Sequence, residues 1–118
     1  MSDDKAILGS LEVRRLIGLY HLEAYLFEGV SRRFAEERTL APFDFFAIII
    51  WKSNRVKTRV KKGLITTGES VQALMRKVAR ASSSLDKVEI LTEIDGIGIR
   101  VASAILAVCY PSQFIVLD

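Results

Sequence analysis

Two glycines one residue apart, Gly96-Ile97-Gly98, stand at the centre of the string Leu91-Thr92-Glu93-Ile94-Asp95-Gly96-Ile97-Gly98-Ile99-Arg100-Val101-Ala102-Ser103-Ala104-Ile105-Leu106. Glycine accepts backbone angles and close approaches that a side chain would block. If one helix ends before this turn and another starts directly after it, the first N–H groups of the second helix have no intrahelical acceptor. Those donors, with the positive end of the helix dipole, make an anion site. A DNA phosphate suits such a site, and contact there is independent of base sequence. Arg100, one turn in, adds positive charge. Gly96, Ile97, Gly98 and Arg100 are therefore candidate nucleic-acid-binding residues. A dinucleotide-binding fingerprint would need a preceding strand and a third glycine, and the string offers neither. An ordinary helical hairpin that uses its glycines for packing is the plainer alternative.

Charge supplies a second group of candidates. Lys52 to Arg80 holds nine basic residues and one acid, Glu69, for a net of +8, whereas residues 1–51 sum to −2 and 81–118 to −3. The whole-chain value of +3 conceals this concentration. A basic stretch attracts polyanions, nucleic acid first among them, although a solvated helix face has the same composition. Lys52, Arg55, Lys57, Lys61 and Lys62 are the positions in this stretch expected to face DNA, Lys57, Lys61 and Lys62 through phosphates and without reading bases. Other reactive types carry less. His21 has no identifiable nucleophile beside it and reads as structural. Cys109 ends an apolar stretch and reads as a small buried hydrophobe. A lone cysteine makes neither an internal disulfide nor a cysteine metal cage. Asp86, Glu89 and Glu93 are spaced as a solvated helix face. No metal and no cofactor is expected.

Helices must position these residues, and the pattern is helical nearly throughout. Leu11 to Glu37 carries apolar residues on one broad face at a 3.6-residue period, interrupted by Gly18 and Gly29. Pro42 suits a first helical turn. Phe43 to Lys52 is apolar on nearly every side, which predicts a central core helix with Asp44 favouring its dipole and Trp51 packed inside. In Asn54 to Leu64 a thin stripe of Val56, Val60 and Leu64 packs while the basic side chains face water. Thr66-Thr67-Gly68-Glu69 reads as a helix start before an amphipathic helix over Ser70 to Ala81. Ser82-Ser83-Ser84 reads as a loop with Ser84 as N-cap. Helices over Leu85–Glu93 and Gly98–Cys109 then flank the glycine turn, giving one all-α domain over residues 1–118.

The string around the two glycines resembles the helix-hairpin-helix DNA glycosylase superfamily, which includes the endonuclease III-like and adenine glycosylases of base-excision repair. In that family the hairpin leads through a loop containing a proline to a catalytic aspartate. Here Tyr110-Pro111-Ser112-Gln113-Phe114-Ile115-Val116-Leu117-Asp118 follows. The resemblance implies an orthogonal helical domain with its hairpin at about 85–109, a catalytic loop at 110–118, and Asp118 as catalytic carboxylate. Pro42-Phe43-Asp44-Phe45-Phe46-Ala47-Ile48-Ile49-Ile50-Trp51-Lys52-Ser53-Asn54 is similar to an early core helix of the family. Asn54 falls where the family carries a glutamine that wedges into the DNA stack, and an amide there could fill the gap left by an extruded base. A helix-end cap is the alternative for Asn54. Several departures matter. The family's lyase lysine falls at Arg100, a poor amine nucleophile, so the resemblance implies base release without strand cleavage. One cysteine cannot hold the relatives' iron–sulfur cluster. Tyr110 replaces a glycine common before the loop proline. The segment between Asn54 and Leu85 is short, and the chain stops at Asp118 where relatives continue, which suggests a domain incomplete at its C-terminus.

Composition bounds the rest. Half of the 118 residues are hydrophobic and 26% are charged, a globular composition and not a disordered one. Met1-Ser2-Asp3-Asp4-Lys5 lacks the apolar core of a signal peptide, and the run from Phe45 to Trp51 is too short to span a bilayer. A reducing, cytoplasmic setting is expected. Three readings remain: a monofunctional DNA N-glycosylase, a non-catalytic helix-hairpin-helix DNA-binding module, and a helical protein–protein adaptor with an acidic partner.

Overall fold

The computed structural model describes Gly18 and residues 21–117, and every regular element among them is helical. A π-helical turn, Tyr25–Val30, runs into α1, Ser31–Glu37. Next come α2, Pro42–Ser53, a single 3₁₀ turn, Asn54–Val56, and α3, Lys57–Thr67. The order closes with α4, Val71–Arg80, α5, Ser84–Thr92, and α6, Ile99–Cys109. No helix among the described residues is long and apolar enough to cross a membrane.

The helix ends follow local chemistry, with two corrections to the sequence expectation. Thr66-Thr67-Gly68 ends a helix and does not start one. Gly68 takes the left-handed conformation (φ 71°), and its N–H reaches back to the carbonyls of Leu64 and Ile65. Ser70 is the start signal, its Oγ accepting from the Ala73 N–H at 3.0 Å. In the serine loop the cap is Ser83, not Ser84. Ser83 has the extended backbone that an N-cap needs, and its Oγ accepts from the Asp86 N–H at 3.1 Å. Three identical side chains in a row could not distinguish these positions in the sequence.

The central helix is α6. Its residues from Val101 to Cys109 are all buried, and the alanines at 102, 104 and 107 let neighbouring helices approach closely. The expectation that the helix after Pro42 would be the buried centre holds on one face only. Asp44, Phe45, Ala47, Ile48 and Ile49 are buried, and α2 packs against α6. Phe43 is 74% exposed and Ile50 40% exposed, and both line an open apolar groove with Leu22, Pro42, Phe46 and Lys61. Trp51 is partly buried edge-to-face against Phe27. Asp44 does more than favour a dipole: it is 5% exposed and accepts from the Tyr25 hydroxyl at 2.6 Å and from Arg33 Nη2 at 2.9 Å. That charge-assisted pair ties the π-helical turn and α1 to the start of α2.

Candidate nucleic-acid interface

The turn between α5 and α6 is anchored by apolar side chains and docked by glycine. Ile94 and Ile97 are each 3% exposed, and the Ile97 N–H donates to the Ile94 carbonyl at 3.0 Å. The Ile97 side chain therefore holds the turn from within the core and is not itself offered to a ligand. Gly96 has φ +93°, and a Cβ there would lie 2.9 Å from Val60 Cγ2 and 3.0 Å from the Val60 backbone nitrogen. Gly63 of α3 meets the turn from the other side, where a Cβ would lie 2.9 Å from the Asp95 carbonyl oxygen. Two backbones thus touch through two glycines. Arg59 of α3 adds a surface ion pair with Asp95 at 2.9 Å and holds that carboxyl below the usual carboxylate range. Gly96 is consequently a packing residue. The close approach that glycine permits is present at Gly96, while Gly98 faces open space.

Gly98 is exposed, and a Cβ there would meet nothing within 4 Å. It is the N-cap of α6 in extended conformation, and its carbonyl accepts from the Ala102 N–H at 2.9 Å. Glycine has no side chain with which to cap the amides that follow, and none caps them. The start of α6 therefore presents uncapped donors beside the exposed Arg100. A concave surface of about 570 Å³ joins this end to the end of α2 and the 3₁₀ turn: Lys52, Ser53, Arg55 and Val56 face Gly98, Ile99 and Arg100. Three of the predicted cations, Lys52, Arg55 and Arg100, are thereby brought to one groove with Gly96 and Gly98.

The chain's last described residues return to this place. Ser103 Oγ donates to the Arg100 carbonyl at 2.9 Å and accepts from the Leu117 N–H at 3.3 Å. Lys52 Nζ donates to the Leu117 carbonyl oxygen. Ser103, unremarked in the sequence beyond its small size, thus fixes the approach to the C-terminus. Asp118 itself lies outside the described residues.

The other candidates disperse. Asn54 is exposed at the start of the 3₁₀ turn, but it is not among the groove-lining residues. Lys57 is half-buried at the start of α3. Lys61 lines the apolar groove beside Phe43 and Ile50, and Lys62 lines a shallow depression with Glu93 and Asp95. A helix turns successive residues through 100°, so one basic stretch becomes several faces. Gly63 was missed too, although a glycine inside a helical pattern signals close backbone approach. Cys109 is buried, as its apolar neighbours imply, and burial pushes its thiol up. No family model, curated protein or solved structure matches this chain.

Proposed function

We propose that this protein binds duplex DNA through the glycine turn, in the manner of a helix-hairpin-helix unit, as a relative of the base-excision-repair glycosylases. The observation that carries this reading is the groove at the start of α6. Uncapped backbone donors at an open glycine lie there beside Lys52, Arg55 and Arg100. Backbone N–H groups and guanidinium forks suit phosphate oxygens, and neither reads a base. Gly98→Glu tests it. The substitution fits sterically, so helicity and melting temperature should stay near wild type. Its carboxylate would occupy the phosphate position, so affinity for duplex DNA should fall at least about tenfold at low salt. Equal affinity in the two proteins, by fluorescence anisotropy, would refute the reading.

Chemistry rests on the sequence resemblance. Asp118 is proposed as an ionised carboxylate that activates water or offsets positive charge developing on the sugar as the glycosidic bond breaks. Support comes from the tethering of Leu117 by Ser103 and Lys52 on the flank of the same groove. Asp118→Asn should abolish base release and retain DNA binding. With Arg100 at the lyase position, the product should be an intact abasic strand nicked only by alkali. DNA binding without base release from any lesion-bearing duplex would favour the non-catalytic module.

A further inference from the structure

A second concave surface, of about 660 Å³, lies at the opposite end of α6 from the glycine turn. The eleven residues of α6 span about 16 Å. A phosphate held at one end therefore cannot serve the other. The walls come from the end of α1, the end of α4, the serine loop with the first turn of α5, and the residues that follow α6. Four cations line it, Arg38, Arg76, Arg80 and Lys87, against one carboxylate, Glu37. None of these arginines has an acidic partner among the described residues.

Two groups in this surface lack what their burial requires. Lys87 is only 8% exposed. Its Nζ donates to the carbonyls of Val78 at 2.9 Å and Ala81 at 2.8 Å and sits 4.9 Å from the Tyr110 ring centroid. Those contacts satisfy its hydrogens but supply no counter-charge, and Arg38 stands near enough to repel it. Burial first, and Arg38 second, push the Lys87 ammonium below the usual lysine range, and the Asp86 carboxylate, which makes no ion pair with it, offsets them only in part. Burying a charge without a paired opposite charge is costly. The second group is Tyr110. Its hydroxyl oxygen is fully buried without a hydrogen-bond partner. The Arg38 guanidinium acts on that oxygen through its charge and as a donor, short of a formed hydrogen bond, and it offers the hydroxyl hydrogen no acceptor. Folded proteins rarely leave such a group unpaired.

One kind of ligand supplies both missing partners. We propose that this cluster is a phosphate-binding site, taking inorganic phosphate or the phosphate of a small phosphomonoester. Arg38, Arg76 and Arg80 offer planar forks that match phosphate oxygens. The dianion neutralises the repulsion between Arg38 and Lys87. The Tyr110 hydroxyl donates to a remaining oxygen. The site is independent of the glycine turn and of whether that turn binds DNA.

Isothermal titration calorimetry of the whole chain, without DNA and at fixed ionic strength, tests this with inorganic phosphate and with adenosine monophosphate. Saturable binding of either is expected. Tighter binding of the nucleotide identifies a phosphomonoester as the ligand, and equal binding shows that phosphate alone suffices. Arg80→Gln should weaken binding about tenfold, the scale of one lost charge-assisted contact. Tyr110→Phe should weaken it several-fold while leaving the unliganded melting temperature unchanged or raised, because it deletes an unpaired buried hydroxyl. Arg55→Gln, in the groove at the glycine turn, should leave binding intact. Absence of saturable heat with both anions would overturn the proposal. So would binding indifferent to Arg80→Gln and Tyr110→Phe, or binding lost with Arg55→Gln.

Discussion

Gly96 and Gly98 stand two positions apart and do different work. The backbone of α3 presses on Gly96, which also needs a positive φ; Gly98 faces open space. Gly96→Ala must therefore move Val60 or distort the turn and should cost about 1–3 kcal/mol by overpacking. Gly98→Ala should change stability by no more than about 0.5 kcal/mol. Urea denaturation of the two variants checks this, and equal losses would contradict the close contact between the turn and α3. Lys87 gives a prediction of another kind. Lys87→Met takes the side-chain donor from the Ala81 carbonyl and leaves the Val78 carbonyl only the Ala81 N–H, at a cost of about 1–3 kcal/mol. The pH dependence has a definite sign. Because the Lys87 pKa is lowered on folding, the unfolded chain holds that proton more tightly over the window just below 10.5. Its contribution to stability therefore rises with pH there. Lys87→Met should flatten that rise, as followed by denaturation midpoints across the alkaline range.

The helices themselves were legible because burial on one face imposes a 3.6-residue period that needs no tertiary knowledge. The divisions at Pro42, around Gly68 and at the glycine turn were visible from residues with fixed backbone preferences. The direction of the Gly68 signal was not, since the same polar cluster suits a helix end followed by a new start. Nor did the basic stretch reveal its geometry. Lys61 and Lys62 are adjacent in sequence yet line different grooves. If duplex DNA docks at the glycine turn as proposed, the charge on these other faces does not meet it. Replacing Lys57, Lys61 and Lys62 together by Ala should leave the slope of log K against log salt nearly unchanged. Arg55→Ala and Arg100→Ala should each flatten it by about one unit. The opposite ranking would place the phosphates along α3.

At the scale of the molecule, α6 is the axis at whose ends both proposed sites stand. Its middle is buried on every side, and its two ends open on two separate basic concavities. Half of the glycine-turn groove was readable, because Gly98, Arg100 and the uncapped amides belong to one local string. The other half was not, because Lys52 and Arg55 arrive by the packing of α2 on α6, and their nearness to Gly98 is a tertiary fact. The far concavity was not readable at all, since its walls come from four separate segments. The central claim is that duplex DNA docks at the start of α6. Amide chemical-shift mapping during titration with a short undamaged duplex at low salt tests it most directly. The account predicts the largest shifts at Gly98, Ile99, Arg100 and Val101, with Lys52 to Val56 and Leu117 next, fading together as salt is raised. Shifts confined to α3, or to the Arg76–Lys87 end of the molecule, with Gly98 to Val101 unmoved, would contradict it.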